Sequence, residues 1–150
     1  MVIERAIIDD LVAILVIQKL AYVIQAKIYD DYNIMPLTET LDDFKVDFEN
    51  KAVYKAVIDS QIVGAVRVLT DETTCHIGKL CVLPQFHGKG IGTKLLKEVE
   101  KIYKYYNRFE LFAGSKSVDN IRLYERFGYK KFKTVPYIEG ITVDYMEKLR

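Results

Sequence analysis

Residues 80–96 read LCVLPQFHGKGIGTKLL: an apolar run suited to a buried strand, a proline, glycines at 88, 90 and 92, then an amphipathic stretch carrying lysines. Alternate glycines between a strand and a helix have few uses, because glycine there either lets the backbone turn sharply or lets a ligand approach it. Such a junction also leaves amide groups free at a helix N-terminus, where the macrodipole favours negative charge. The stretch predicts an anion site, most naturally for phosphate, with Lys89 and Lys94 adding charge. A purely structural turn would use the same glycines. Two phosphate loops do not fit: a Walker A loop needs Ser or Thr directly after Gly-Lys, but Gly90 follows Lys89, and a dinucleotide GxGxxG needs a third glycine where Thr93 stands.

The remainder reads as one domain over residues 1–150, long enough to bury roughly 70% of its unfolded surface. Asp9 and Asp10 precede the apolar run 11–29, so a strand at 2–7 leads into a helix over about 10–29. That run is apolar enough to raise a membrane span, but Gln18, Lys19, Gln25 and Lys27 interrupt it, and a buried or interface-forming helix is expected. Asn33 and Pro36 mark a loop, and Thr38 or Thr40 can cap a short helix through LDDFKVDFEN. AVYKAVI and QIVGAVRVL, joined at Asp59 and Ser60, read as a hairpin. A third strand over 73–83 ends at Pro84. Helical spacing then runs from 91 to 106, a strand covers 108–113, and Ser117 can cap a helix that stops at Gly128. Two strands around a loop at Pro136 and Gly140 close the chain. This order predicts an α/β (α+β) fold: a mixed, mostly antiparallel sheet with helices on both faces and one parallel pair flanking the 91–106 helix.

The charge balance, 22 Lys and Arg against 21 Asp and Glu, gives no reason to expect nucleic acid or an anionic membrane. No metal site is expected. Cys75 and Cys81 lie six apart on one predicted strand, about 20 Å and beyond disulfide reach, which suits a reducing compartment. MVIERAIIDD places its charges before the apolar run with no small-residue cleavage pattern, so a cytoplasmic protein is expected. The very apolar first helix makes a homodimer one reading of its outer side.

LCVLPQFHGKGIGTKLL resembles the acetyl-coenzyme A site of the GNAT superfamily, the Gcn5-related N-acetyltransferases, with its [QR]xxGx[GA] signature beyond an LxVxP strand. NIRLYERFGY resembles the same family's NxxLYxxxGF segment. The two motifs occur in the family's order, and the predicted elements fit the family along the whole chain. One position departs: aligned on Pro84 and the glycines, the family's Gln or Arg falls on His87. An imidazole can donate to phosphate but is charged only in part at neutral pH, so cofactor affinity should depend on pH.

The resemblance implies transfer of acetyl from acetyl-CoA to a primary amine of a small molecule or peptide, directly and in a ternary complex, without a metal. It implies that His87, Gly88, Lys89, Gly90, Ile91, Gly92 and Thr93 hold the pyrophosphate, that the pantetheine arm pairs with main chain near Val82, and that the Leu80 amide points at the thioester oxygen. Asn120 and Tyr124, four apart on one helix face, would hydrogen-bond the cofactor arm and protonate the departing thiolate. Phenol and thiol have pKa values within about two units, which suits that exchange. His76, four residues before Leu80, is the candidate general base, with Glu72 through water as a lesser one. Tyr22, Tyr29, Asp31 and Tyr137 are candidates for the acceptor site, where Asp30, Asp31 and Glu139 could attract an amine. The alternative is a GNAT-fold module that binds acyl-CoA as a sensor or interaction partner without turnover, because the usual Gln or Arg is missing and no base is assured. A nucleotide-binding protein lies outside the family reading.

Overall fold

β-Branched runs joined by short turns pair with their chain neighbours, and the computed structural model, which describes residues 1–150, builds its sheet that way. The elements are β1 (Val2–Arg5), α1 (Leu11–Tyr29), α2 (Met35–Thr38), α3 (Leu41–Asn50), β2 (Ala52–Ile58), β3 (Gln61–Thr70), β4 (Thr74–Val82), α4 (Ile91–Ile102), β5 (Arg108–Gly114), α5 (Val118–Arg126), β6 (Lys130–Ile138) and β7 (Ile141–Leu149). All seven strands join one sheet in the order β1-β2-β3-β4-β5-β7-β6. Only β4 and β5 run parallel, joined by a crossover through α4; the other neighbours are antiparallel.

Strand alternation assigns the two faces. Arg67 of β3 reaches Gln18 of α1 and Asp47 of α3, whereas a Cβ at Gly64, three residues earlier, would meet Leu95 and Ile91 of α4. α1 and α3 therefore cover one face and α4 the other. Leu95, Leu96 and Val99 are buried at helical spacing, and truncating such a leucine to alanine costs ~2–5 kcal/mol.

The Arg67 cluster locks the first helices to the sheet. Its guanidinium donates to Glu39 at 2.7 and 2.8 Å, to Asp47 at 2.8 Å and to Gln18 at 2.7 Å, and lies 3.7 Å over the Phe44 ring. Burial raises the Glu39 carboxyl, but the bonds from Arg67 and Gln18 outweigh it and hold the group at about 2. α1 runs from this network toward the glycine turn. Its inner residues Leu11, Ile14 and Ile17 are buried, while Val12, Val16, Leu20, Ile24 and Ile28 form an exposed stripe four residues apart.

Several boundaries differ from the sequence expectation. Pro36 sits in the first turn of α2, where a missing N–H costs nothing, rather than in a loop. Thr40, not Thr38, caps α3, in a reciprocal pair with Asp43 at 3.1 Å each way. α4 stops at Ile102, and Tyr103 and Tyr106 pack edge to face, 6.1 Å apart, in a turn instead of continuing the helix. Pro136 lies inside β6, an edge strand that can lack a donor.

Candidate active site

β4 and β5 pair only through Thr74–His76 and Arg108–Glu110. Beyond that β5 stays with β7 along 108–114, and the two parallel strands part. β4 carries one extra residue there: its register with β3 steps from Ala65 opposite Cys81 to Arg67 opposite Gly78. Lys79 takes up the excess at φ 51°. A bulge bends its strand and re-aims side chains. Leu83 donates to the Val63 carbonyl of β3 at 2.8 Å, so alternation turns the main chain of Val82 toward the gap.

Two cavities occupy this gap, of about 650 and 330 Å³. The larger is lined by Leu80, Val82 and the turn into α4, including His87, Gly88, Gly90, Ile91, Gly92 and Thr93. Gly88 and Gly90 both adopt φ 77°, a conformation L side chains resist, and a Cβ at either would stand in open space. Lys94 makes the first bond of the helix, to the Gly90 carbonyl at 3.0 Å, and no amide from Gly88 to Thr93 has a partner within the chain. Six free donors at a helix N-terminus form an anion cradle. The Lys89 side chain leaves it, lying 5.2 Å over the Phe86 ring. His87 also turns inward, its Nε2 2.7 Å from the Val82 carbonyl. Arg126 and Asp119 of α5 line this cavity as well; they stand seven apart, on the helix side that carries Asn120 and Leu123, and that spacing was the available sequence signal.

Tyr22, Gln25, Leu80, Asn120 and Tyr124 line both cavities and so form their junction. The Tyr22 hydroxyl donates to the Leu80 carbonyl at 3.4 Å. Burial alone pushes the Tyr124 phenol up to about 12, which keeps it protonated at neutral pH. Ser117 leaves α5 without a side-chain cap and donates instead to Gln25, tying α5 to α1 across the gap.

Tyr29 and Tyr137 wall the smaller cavity. The Tyr29 hydroxyl accepts from the Lys116 amide at 2.7 Å and the Tyr137 hydroxyl from the Met35 amide at 3.2 Å. A Cβ at Gly114 would run into the Tyr29 phenol and the Ser117 hydroxyl, so a larger residue there must displace them. Lys79, Lys51 and Phe112 also line this cavity and were not singled out from the sequence. Lys79 carried no motif, and only the bulge brings it there.

Two expectations are corrected. His76 lines neither cavity: it sits at the closed end of the gap with Nε2 2.9 Å from Asp71 and Nδ1 3.1 Å from Glu110. The bulge at Lys79 breaks the alternation, so His76 and Leu80 point to opposite faces despite their spacing, and the ring pairs with carboxylates instead of facing the junction. Asp31 accepts from the Asn33 amide at 2.8 Å in a local turn. It lines neither cavity, nor do Asp30 and Glu139.

Residues 34–150 match the acetyltransferase (GNAT) domain family, and the chain belongs to that family. It is 35% identical over 86 residues to an uncharacterized N-acetyltransferase of Methanocaldococcus jannaschii, an alignment covering 55% of each protein, so the match spans about half the length of that relative. The PaiA N-acetyltransferase of Thermoplasma acidophilum, solved in complex with coenzyme A, superimposes with a TM-score of 0.81 at 18% identity over 100% of both chains. A GNAT family acetyltransferase of Elizabethkingia anophelis with acetyl-CoA bound gives 0.66 at 19% identity, over 74% of this chain and 84% of that one. At these identities the structural likenesses show the fold.

Proposed function

We propose that this chain is an acetyl-CoA-dependent N-acetyltransferase that passes acetyl directly to a primary amine while both substrates are held in the gap between β4 and β5. The observation that carries the reading is the junction: an anion-binding cavity and a smaller apolar one meet at Leu80, Asn120 and Tyr124. The larger cavity fits coenzyme A, because unpartnered amides from Gly88 to Thr93 suit a pyrophosphate and the edge of β4 facing the gap suits an extended amide-bearing arm.

Acetyl-CoA supplies the activated thioester. The chain binds the pyrophosphate through the 88–93 amides and positions the arm with Val82 and Asn120. In this reading the Leu80 amide polarises the thioester carbonyl. The amine nitrogen forms its bond to the carbonyl carbon as the carbon–sulfur bond breaks; Tyr124, protonated at neutral pH, gives its proton to the leaving sulfur, and the proton the nitrogen sheds on becoming an amide returns to the phenolate through solvent. The amine must first lose a proton, and the lining of the smaller cavity has no carboxylate to hold it as the ammonium.

The second reading, an acyl-CoA-binding module without turnover, draws on the engagement of His76 by Asp71 and Glu110, away from both cavities. Amine-dependent release of coenzyme A thiol from acetyl-CoA separates the two. The enzyme releases thiol with some member of a primary-amine panel; the module binds acetyl-CoA and releases none.

A further inference from the structure

The smaller cavity contains no carboxylate. Its charged lining consists of Lys79 and Lys51, set among Ile34, Ile77, Leu111 and Val143. Behind it lies an ionic cluster that does not balance: Arg67, Lys51 and Lys79 supply three positive charges against Glu39 and Asp47. Glu39 is committed to Arg67 at 2.7 Å and stands 3.9 Å from Lys79, outside hydrogen-bond range. The Lys79 ammonium has three protons to donate, and its contact within 3.5 Å is the thioether of Met35 at 3.3 Å, a weak acceptor. Burial pulls this ammonium down, followed by the charge of Arg67, with Glu39 and Asp47 opposing. A part-buried ammonium short of acceptors, facing a cavity, is a place for an anion.

Resting on the acetyltransfer reading, we propose that the acceptor is a small apolar amine that also carries a carboxylate, and that Lys79 binds that carboxylate. A bare amine or polyamine would bring more positive charge into an acid-free cavity, whereas an amino acid brings its own counter-charge. A volume of about 330 Å³ lies at the small end of ligand sites, about 300–1,000 Å³, and Tyr29 and Tyr137 offer aromatic walls with both hydroxyls already bonded to main chain. The bulge serves this directly: by shifting the alternation of β4 it puts Lys79 in the wall of the smaller cavity.

L-Phenylalanine and 2-phenylethylamine differ only by the carboxylate, and calorimetric titration of each into the chain, with and without saturating coenzyme A, tests the proposal. Phenylalanine is expected to bind at least about tenfold more tightly, the value of one charge-assisted hydrogen bond. Lys79→Met should erase that preference and Lys79→Arg should keep it, with melting temperatures checking that each variant folds. Equal binding of the two amines, tighter binding of phenylethylamine, binding of neither, or a preference that survives in Lys79→Met overturns the proposal. Failure of the acetyltransfer reading has a different signature, the absence of acetyl-CoA binding or of thiol release with any amine.

Discussion

The imidazole of His87 lies with Nε2 2.7 Å from the carbonyl oxygen of Val82, so the residue at the family's Gln or Arg position points back at its own strand. Nε2 must carry a proton to donate there. Nδ1 is then a lone pair in the neutral ring and a donor to phosphate only in the cation. Calorimetric titration of coenzyme A into His87→Ala tests whether the ring adds to the cradle: binding about tenfold weaker than in the parent chain is expected, and unchanged affinity would remove His87 from the phosphate site.

Gly90 tests the cradle. At φ 77° an alanine costs roughly 1–2 kcal/mol of conformational strain, and its methyl would occupy the open space before the free amides. Gly90→Ala should lower the urea midpoint modestly and weaken coenzyme A binding by a much larger factor. If both losses correspond to the same free energy, the glycine serves the turn and not the ligand.

The Glu39–Arg67 pair sets the acid limit of the fold. Glu39 is held at about 2, below its ordinary 4.5, so its contribution is full above about 4.5 and is lost as pH falls through 2. Glu39→Ala should destabilise the chain at neutral pH by ~3–5 kcal/mol, because it leaves Arg67 buried with a weakened counter-charge. It should also flatten the acid limb of a urea midpoint profile. A variant as acid-sensitive as the parent would mean that other carboxylates set that limb.

Much of this architecture was legible in the sequence for simple reasons. The turn HGKGIG predicts an anion cradle because alternate glycines before a helix leave amides free, and Asn120 and Tyr124 reach one junction because four residues bring a helix back to the same face. His76 was misplaced by the same kind of arithmetic. A period of two holds only in a regular strand, and the residue inserted at Lys79 leaves no mark in composition or patterning. The lack of acids in the smaller cavity was hidden for a related reason: Asp30, Asp31 and Glu139 stand close in sequence to its lining residues Tyr29 and Tyr137, and that none of them lines it emerges only once the α1–α2 connection and the β6–β7 turn are folded.

Tyr124 carries the central claim. Burial holds its phenol at about 12, so it stays a proton donor through the neutral range, and an alkaline fall in rate below about pH 10 would come from another group. The decisive measurement is steady-state thiol release from acetyl-CoA by Tyr124→Phe beside the parent chain, with acetyl-CoA affinity measured on both. The predicted result is unchanged affinity with kcat lowered about 10²–10³-fold. Full activity in Tyr124→Phe, or a parent chain that binds acetyl-CoA and releases no thiol with any amine, would contradict it.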